Sequence, residues 1–114
     1  MTDKELLELA ARAAGYKFDS TEPFEISKEH KGETYWFEWN PLIYDGDALR
    51  LAVKLNIGHG AYTASDLTEH CCAYLNHRSV LKFHRVYVTL GDDPYAATRR
   101  AIVLIASEVG KEML

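Results

Sequence analysis

Proline, cysteine and long apolar runs are all scarce in this chain. Among 114 residues there are three prolines and two cysteines, and the cysteines, Cys71 and Cys72, are neighbours. Adjacent residues rarely close a disulfide on each other, and one pair does not make the framework of a small secreted domain. No stretch approaches the roughly 18 consecutive apolar residues that a membrane-crossing helix needs. The opening Met1-Thr2-Asp3-Lys4-Glu5 is polar and acidic, unlike a secretory signal with its basic start and apolar centre. Internal repeats, linkers and low-complexity segments are missing too. These absences predict a reduced, cytoplasmic protein without a membrane partner.

What is present is ordinary globular composition, with 47% apolar and 26% charged residues. That is enough for one hydrophobic core, and residues 1–114 are expected to form one domain. Thirteen basic against seventeen acidic side chains leave a formal charge of −4. Phosphate binding usually needs a local excess of Lys and Arg, so nucleic acid is not the favoured partner.

Three helices are legible. Thr2-Asp3-Lys4-Glu5 is a capping-box pattern, and Leu6, Leu9, Ala10, Ala13 and Ala14 follow as an apolar stripe that Gly15 ends, giving a helix over about 3–14. A second starts at Asp45 or Asp47, where a carboxylate caps the first amides, and stops at Asn56. Ala48, Leu51, Ala52 and Leu55 form its buried face, with Leu49 and Val53 beside them. The third opens at Asp92-Asp93-Pro94 and buries Thr98, Ala101, Ile102, Ile105 and Val109, while Arg99, Arg100 and Glu108 face water. Leu6, Leu9, Leu51, Leu55, Ile102 and Ile105 should share one core.

Between the helices the signals are extended. Residues 16–38 alternate in places, but Pro23 and the charged mixture over 27–33 interrupt a long strand. Thr34-Tyr35-Trp36-Phe37-Glu38-Trp39 is a short aromatic strand candidate, and Asn40-Pro41 marks a turn. Residues 57–90 predict a two- or three-stranded antiparallel meander, with Leu67–Leu75 and Val80–Leu90 as its main strands. The fold class is therefore α+β: three helices on a small antiparallel sheet, in the order helix, extended segment, helix, two or three strands, helix.

Three blocks resemble a group of small proteins encoded by bacteriophages and prophages, loosely of the NinX type. They are Met1–Ala11, Trp39–Leu55 and Asp93–Val103, which with flanking residues cover a little under half the chain; residues 57–92 lie outside the likeness. The resemblance implies a phage or prophage gene product, made in the host cytoplasm and acting as an accessory factor of unassigned role. It brings no catalytic residues. Where similar proteins often carry a second acid before Asp45, this chain has Tyr44, which puts any role of that acidic pair in doubt here.

Other constellations have plain readings. Asp45-Gly46-Asp47 begins like a calcium loop, but Leu49, Leu51 and Asn56 stand where further oxygen ligands belong, so helix capping explains it better. His70, Cys71, Cys72, His77 and His84 raise a zinc or Cys–His question. Strand alternation sends Cys71 and Cys72 to opposite faces, leaving only His70 and Cys72 together, and no nucleophile signature surrounds them. Gly58-His59-Gly60 reads as a flexible turn, not a phosphate loop. No enzyme activity, cofactor or metal is expected.

The aromatic segment carries the functional expectation. Alternation splits Tyr35, Phe37 and Trp39, expected inward, from Trp36, expected outward with Glu38. Trp36 and Tyr44 are then the candidate partner-binding residues, and the expected partners are a host or phage protein or a second copy of this chain. The alternative is a nucleic-acid-binding accessory using Arg78, Lys82 and Arg85. From residue 46 the order of elements mimics a double-stranded-RNA-binding domain, although Asp92 and Asp93 stand where such domains place phosphate-gripping lysines.

Overall fold

A computed structural model describes residues 1–63, 66–75 and 85–113. Its first helix, α1 (Asp3–Ala14), is capped by the Thr2 hydroxyl, which accepts from the Glu5 amide at 3.2 Å. Gly15, at φ 80°, ends it in the left-handed region, where a Cβ is disfavoured. The buried arc comprises Leu6, Leu7, Ala10, Ala11 and Ala14, whereas Leu9 and Ala13 are only half-buried. The expected stripe is therefore rotated. α1 packs against the third helix and also against the first strand, and serving two neighbours turns Leu7 and Ala11 inward.

The second helix, α2 (Asp45–Leu55), has the expected limits, with Asn56 left-handed at its end. Its start is built differently from the expectation. Tyr44 occupies the cap position and makes no side-chain cap bond. Asp47 instead reaches out of the helix to the Asn40 amide, at 2.9 Å. Both acids still place negative charge at the positive helix end. Ala48, Leu51 and Ala52 are buried, but Leu49 and Val53 are exposed, so this helix buries a narrower stripe than its composition suggests.

Asp93 caps α3 (Pro94–Glu112) by accepting from the Ala96 amide at 3.0 Å, with Pro94 in the first helical position. Small residues dominate its buried surface, which includes Ala97, Ala101, Ala106, Ser107 and Gly110 beside Ile102, Val103 and Ile105.

Residues 17–38, where a long strand looked interrupted, form an antiparallel sheet of β1 (Lys17–Asp19), β2 (Glu25–His30) and β3 (Glu33–Glu38) in that order. The charged mixture does not break the pairing; it carries the turn. Lys31 and Gly32 take φ 52° and 80° between the paired His30 and Glu33. Two successive positive-φ residues are the mark of a type I′ hairpin, whose twist matches the flanking strands.

The second sheet is the expected meander in its three-stranded form: β4 (Ile57–Thr63), β5 (Glu69–Leu75) and β6 (Arg85–Thr89). α3 lies across all three strands, and α2 contacts β4. Cys71 and Ala73 face the helices and are buried, while Cys72 is only half-covered on the open face. Gly58-His59-Gly60 is part of β4 rather than a turn. Gly58 stands opposite Tyr74, whose ring would lie 2.5 Å from any Cβ placed there.

One cluster of buried residues joins all three helices to both sheets. Leu6, Leu51, Ile102 and Ile105 belong to it, Leu55 packs on its edge, and Leu9 alone of the six expected members does not. From the first sheet come Ile26 and, half-buried, Phe18. Trp39, just past the end of β3, meets Tyr16 and Phe18 edge-to-face with ring centroids 6.2 and 6.1 Å away. The α+β class is as expected. The difference is that the helices serve two small sheets instead of one.

Candidate functional site

The turn from Trp39 to Asp45 is held from both ends. Asn40 accepts at its carbonyl from Ile43 N and Tyr44 N, at 3.0 and 2.9 Å. Its side chain accepts from Leu42 N at 3.1 Å, and its own amide donates to Asp47. Asp47 is buried, and its second oxygen takes the Arg50 guanidinium at 2.8 Å. From α3, Arg99 donates Nε to the Leu42 carbonyl at 2.9 Å and a terminal nitrogen to Asp45 at 2.7 Å. Arg99 was expected to face water, but its side chain is only 16% exposed. It clamps the turn because a guanidinium donates in two directions at once.

This fixed turn presents Tyr44 to the first sheet, where its hydroxyl donates to Glu38 at 3.2 Å. Trp36 and Glu38 point to the same face of β3, two residues apart. The structure thus brings the two candidate partner-binding residues onto one surface, with Glu38 between them. Trp36 is 48% exposed and Tyr44 45%, and the adjoining Ile43 reaches 60%.

Tyr35 and Phe37 depart from expectation: both are exposed, like every residue of β3. The alternation is correct, with Phe37 opposite the buried Ile26 and Tyr35 opposite Lys28. The core, however, ends at β2, so among the described residues no core side chain covers the inward face of β3. Tyr35 donates to Glu33 at 2.5 Å, and the Lys28 ammonium sits 5.6 Å from the Phe37 ring centre and 5.7 Å from that of Tyr16. The carboxylate bonds favour the protonated phenols, raising the pKa of Tyr35 through Glu33 and that of Tyr44 through Glu38.

A second feature was not legible in the sequence. An apolar groove of about 480 Å³ opens between α2, α3 and the helix-facing side of the second sheet. Ala48, Ala61 and Cys71 form its floor and leave it unfilled because they are small, while Leu49 and Tyr95 stand at the rim. His59, Thr98 and the Arg99–Asp45 pair are its polar side chains. The signal that existed was the small residues Gly58, Gly60 and Ala61 close together inside a strand.

The remaining candidates scatter. His70 and Cys72 share the open face of β5, away from the buried Cys71. Arg85 is exposed on β6 and bonds Tyr87, which raises its pKa further. Arg78, Lys82, His77 and His84 lie outside the described residues. Among the described residues, no group of three or more His, Cys, Asp or Glu side chains is placed to hold a metal ion. No described helix is long and apolar enough to cross a membrane. Comparison with protein-family models, with curated proteins and with solved structures gives no match in any of the three.

Proposed function

We propose that this chain works by stoichiometric protein binding, as a small accessory factor of the sort phages and prophages encode, acting in the host cytoplasm on a host or phage protein. The observation that carries the binding reading is the exposure of Trp36, Tyr44 and Ile43 around Glu38, with Tyr44 held to Glu38 and the turn that bears Ile43 and Tyr44 held by Arg99. Large aromatics cost solubility when exposed, and rigidly mounted ones are the usual anchors of protein interfaces. The phage and cytoplasmic parts rest on the sequence likeness and on the adjacent cysteines.

The test is capture from a bacterial lysate followed by titration of the purified partner. Trp36→Ala is expected to weaken binding at least tenfold, about 1.4 kcal/mol or more, with the melting temperature unchanged. If nothing specific is captured while a nucleic-acid shift is positive at physiological salt, the reading is abandoned.

One observation favours nucleic acid as the second reading. From α2 onward the chain runs helix, three antiparallel strands, helix, the order of a double-stranded-RNA-binding domain. Topology alone is not function. At the helix start that would meet phosphate stands Asp93, engaged as a cap, and the cations in the first two turns of that helix, Arg99 and Arg100, are paired with Asp45 and Asp3. This reading therefore depends on Arg78, Lys82 and Arg85. It predicts binding that weakens steeply with salt and is lost when those three are replaced.

A further inference from the structure

We infer that two copies of this chain join through β3, antiparallel about a twofold axis at Trp36, into one continuous sheet ordered β1-β2-β3-β3-β2-β1. The inference rests on the reading of this strand as a contact surface and names its occupant.

Backbone alternation shows which groups are free to pair. The two-residue turn makes His30 and Glu33 a hydrogen-bonded pair, and farther along Trp39 N donates to the Phe24 carbonyl at 2.9 Å. Between these points Glu33, Tyr35 and Phe37 bond to β2, so Thr34, Trp36 and Glu38 turn their N–H and C=O groups away from the sheet. β3 is an edge strand in which all six residues are exposed. Edges are usually blunted by Pro, by charged side chains, by a bulge or by shortness. β1, the opposite edge, has three residues; β3 is unbroken, has neither Pro nor Lys, and keeps its two charges, Glu33 and Glu38, at its ends.

Only one register uses every outward group of the strand. With Trp36 opposite the second copy's Trp36, Thr34 meets Glu38 of the other copy and Glu38 meets Thr34. All three outward residues then exchange both bonds. On the other face Tyr35 lies against Phe37 of the second copy, and no carboxylate opposes another. A two-residue shift toward the turn sets Glu38 against Gly32 and Phe37 against Glu33. The opposite shift sets Thr34 against Asn40, whose amide is already held by Asp47. Odd shifts match outward groups with inward ones and form no ladder.

The test begins with sedimentation equilibrium of the wild-type chain, where a dimer is expected. Thr34→Pro removes one outward N–H, keeps every aromatic and leaves the bonds to β2, so it should be monomeric at the same concentration. Register is read by cysteine trapping in a Cys71→Ala, Cys72→Ser background. Thr34→Cys chains mixed with Glu38→Cys chains should cross-link at least tenfold more than either alone, with both Trp36 side chains intact. A dimer that persists in Thr34→Pro overturns strand pairing. Cross-linking by Tyr35→Cys or Phe37→Cys alone overturns the register. A wild-type monomer at every concentration overturns the inference, while the protein-binding reading still stands if Trp36→Ala loses the captured partner.

Discussion

Gly110 of α3 lies so close to the backbone of Leu9 in α1 that a Cβ on it would stand 2.0 Å from the Leu9 carbonyl oxygen. That oxygen belongs to a helix and cannot rotate aside. In a free helix Gly→Ala gains about 1 kcal/mol, but here the added methyl must push two helices apart, and overpacking costs about 1–3 kcal/mol. The clash wins. Gly110→Ala is expected to lower the melting temperature, read by circular dichroism, although alanine is the better helix former.

Core truncations should follow burial closely. Leu51 and Ile102 are 2% and 3% exposed, and either one replaced by Ala should cost about 2–5 kcal/mol in denaturant unfolding. Leu49, on the same helix as Leu51 but exposed, should change stability by less than about 0.5 kcal/mol when truncated. Equal costs at 49 and 51 would contradict the narrow buried stripe of α2.

Arg99→Ala should cost about 1–3 kcal/mol, because the Leu42 carbonyl loses its donor in a half-covered site. Arg99→Lys should recover little, since one ammonium cannot reproduce the planar fork that serves Leu42 and Asp45 together. A further effect is expected at a distance. With the turn loosened, Tyr44 loses its fixed approach to Glu38, so partner binding should fall beyond what the stability change explains. Full recovery by lysine would mean that charge alone matters.

The tyrosines offer a pH test. Tyr35 and Tyr44 have raised pKa values because each donates to a carboxylate. A raised folded value means that the protonated form is favoured by folding. This contribution is complete below the unfolded tyrosine pKa of about 10 and is lost as pH rises through the folded one. In an alkaline titration followed by ultraviolet absorbance, Glu33→Gln should lower the pKa of one phenol and Glu38→Gln that of another. If neither moves, the two bonds do not persist in solution.

The helices were legible because caps and stripes are local. Thr2, Gly15, Asn56, Asp93 and Pro94 mark ends that the structure keeps. What could not be seen came from distance. Asp47 looked like a cap because its bond to Asn40 requires the turn to fold back, and Arg99 looked solvated because its partners lie more than fifty positions away in sequence. The type I′ turn was hidden behind lysine, a residue seldom chosen for positive φ. Trp36 was placed outward correctly by alternation. Alternation could not say that Tyr35 and Phe37 stay exposed, because coverage is a property of the neighbours and not of the strand.

Trp36 and Trp39 are the only tryptophans in the chain, and one is half in water while the other is 4% exposed in the core. Their indoles therefore emit from two solvents three residues apart. A soluble quencher reaches the first and spares the second, so an occupied surface is seen as lost quenching at an unchanged core. Loosening of the core is seen as the reverse. The chain carries its own optical means of telling association from unfolding, with no label attached.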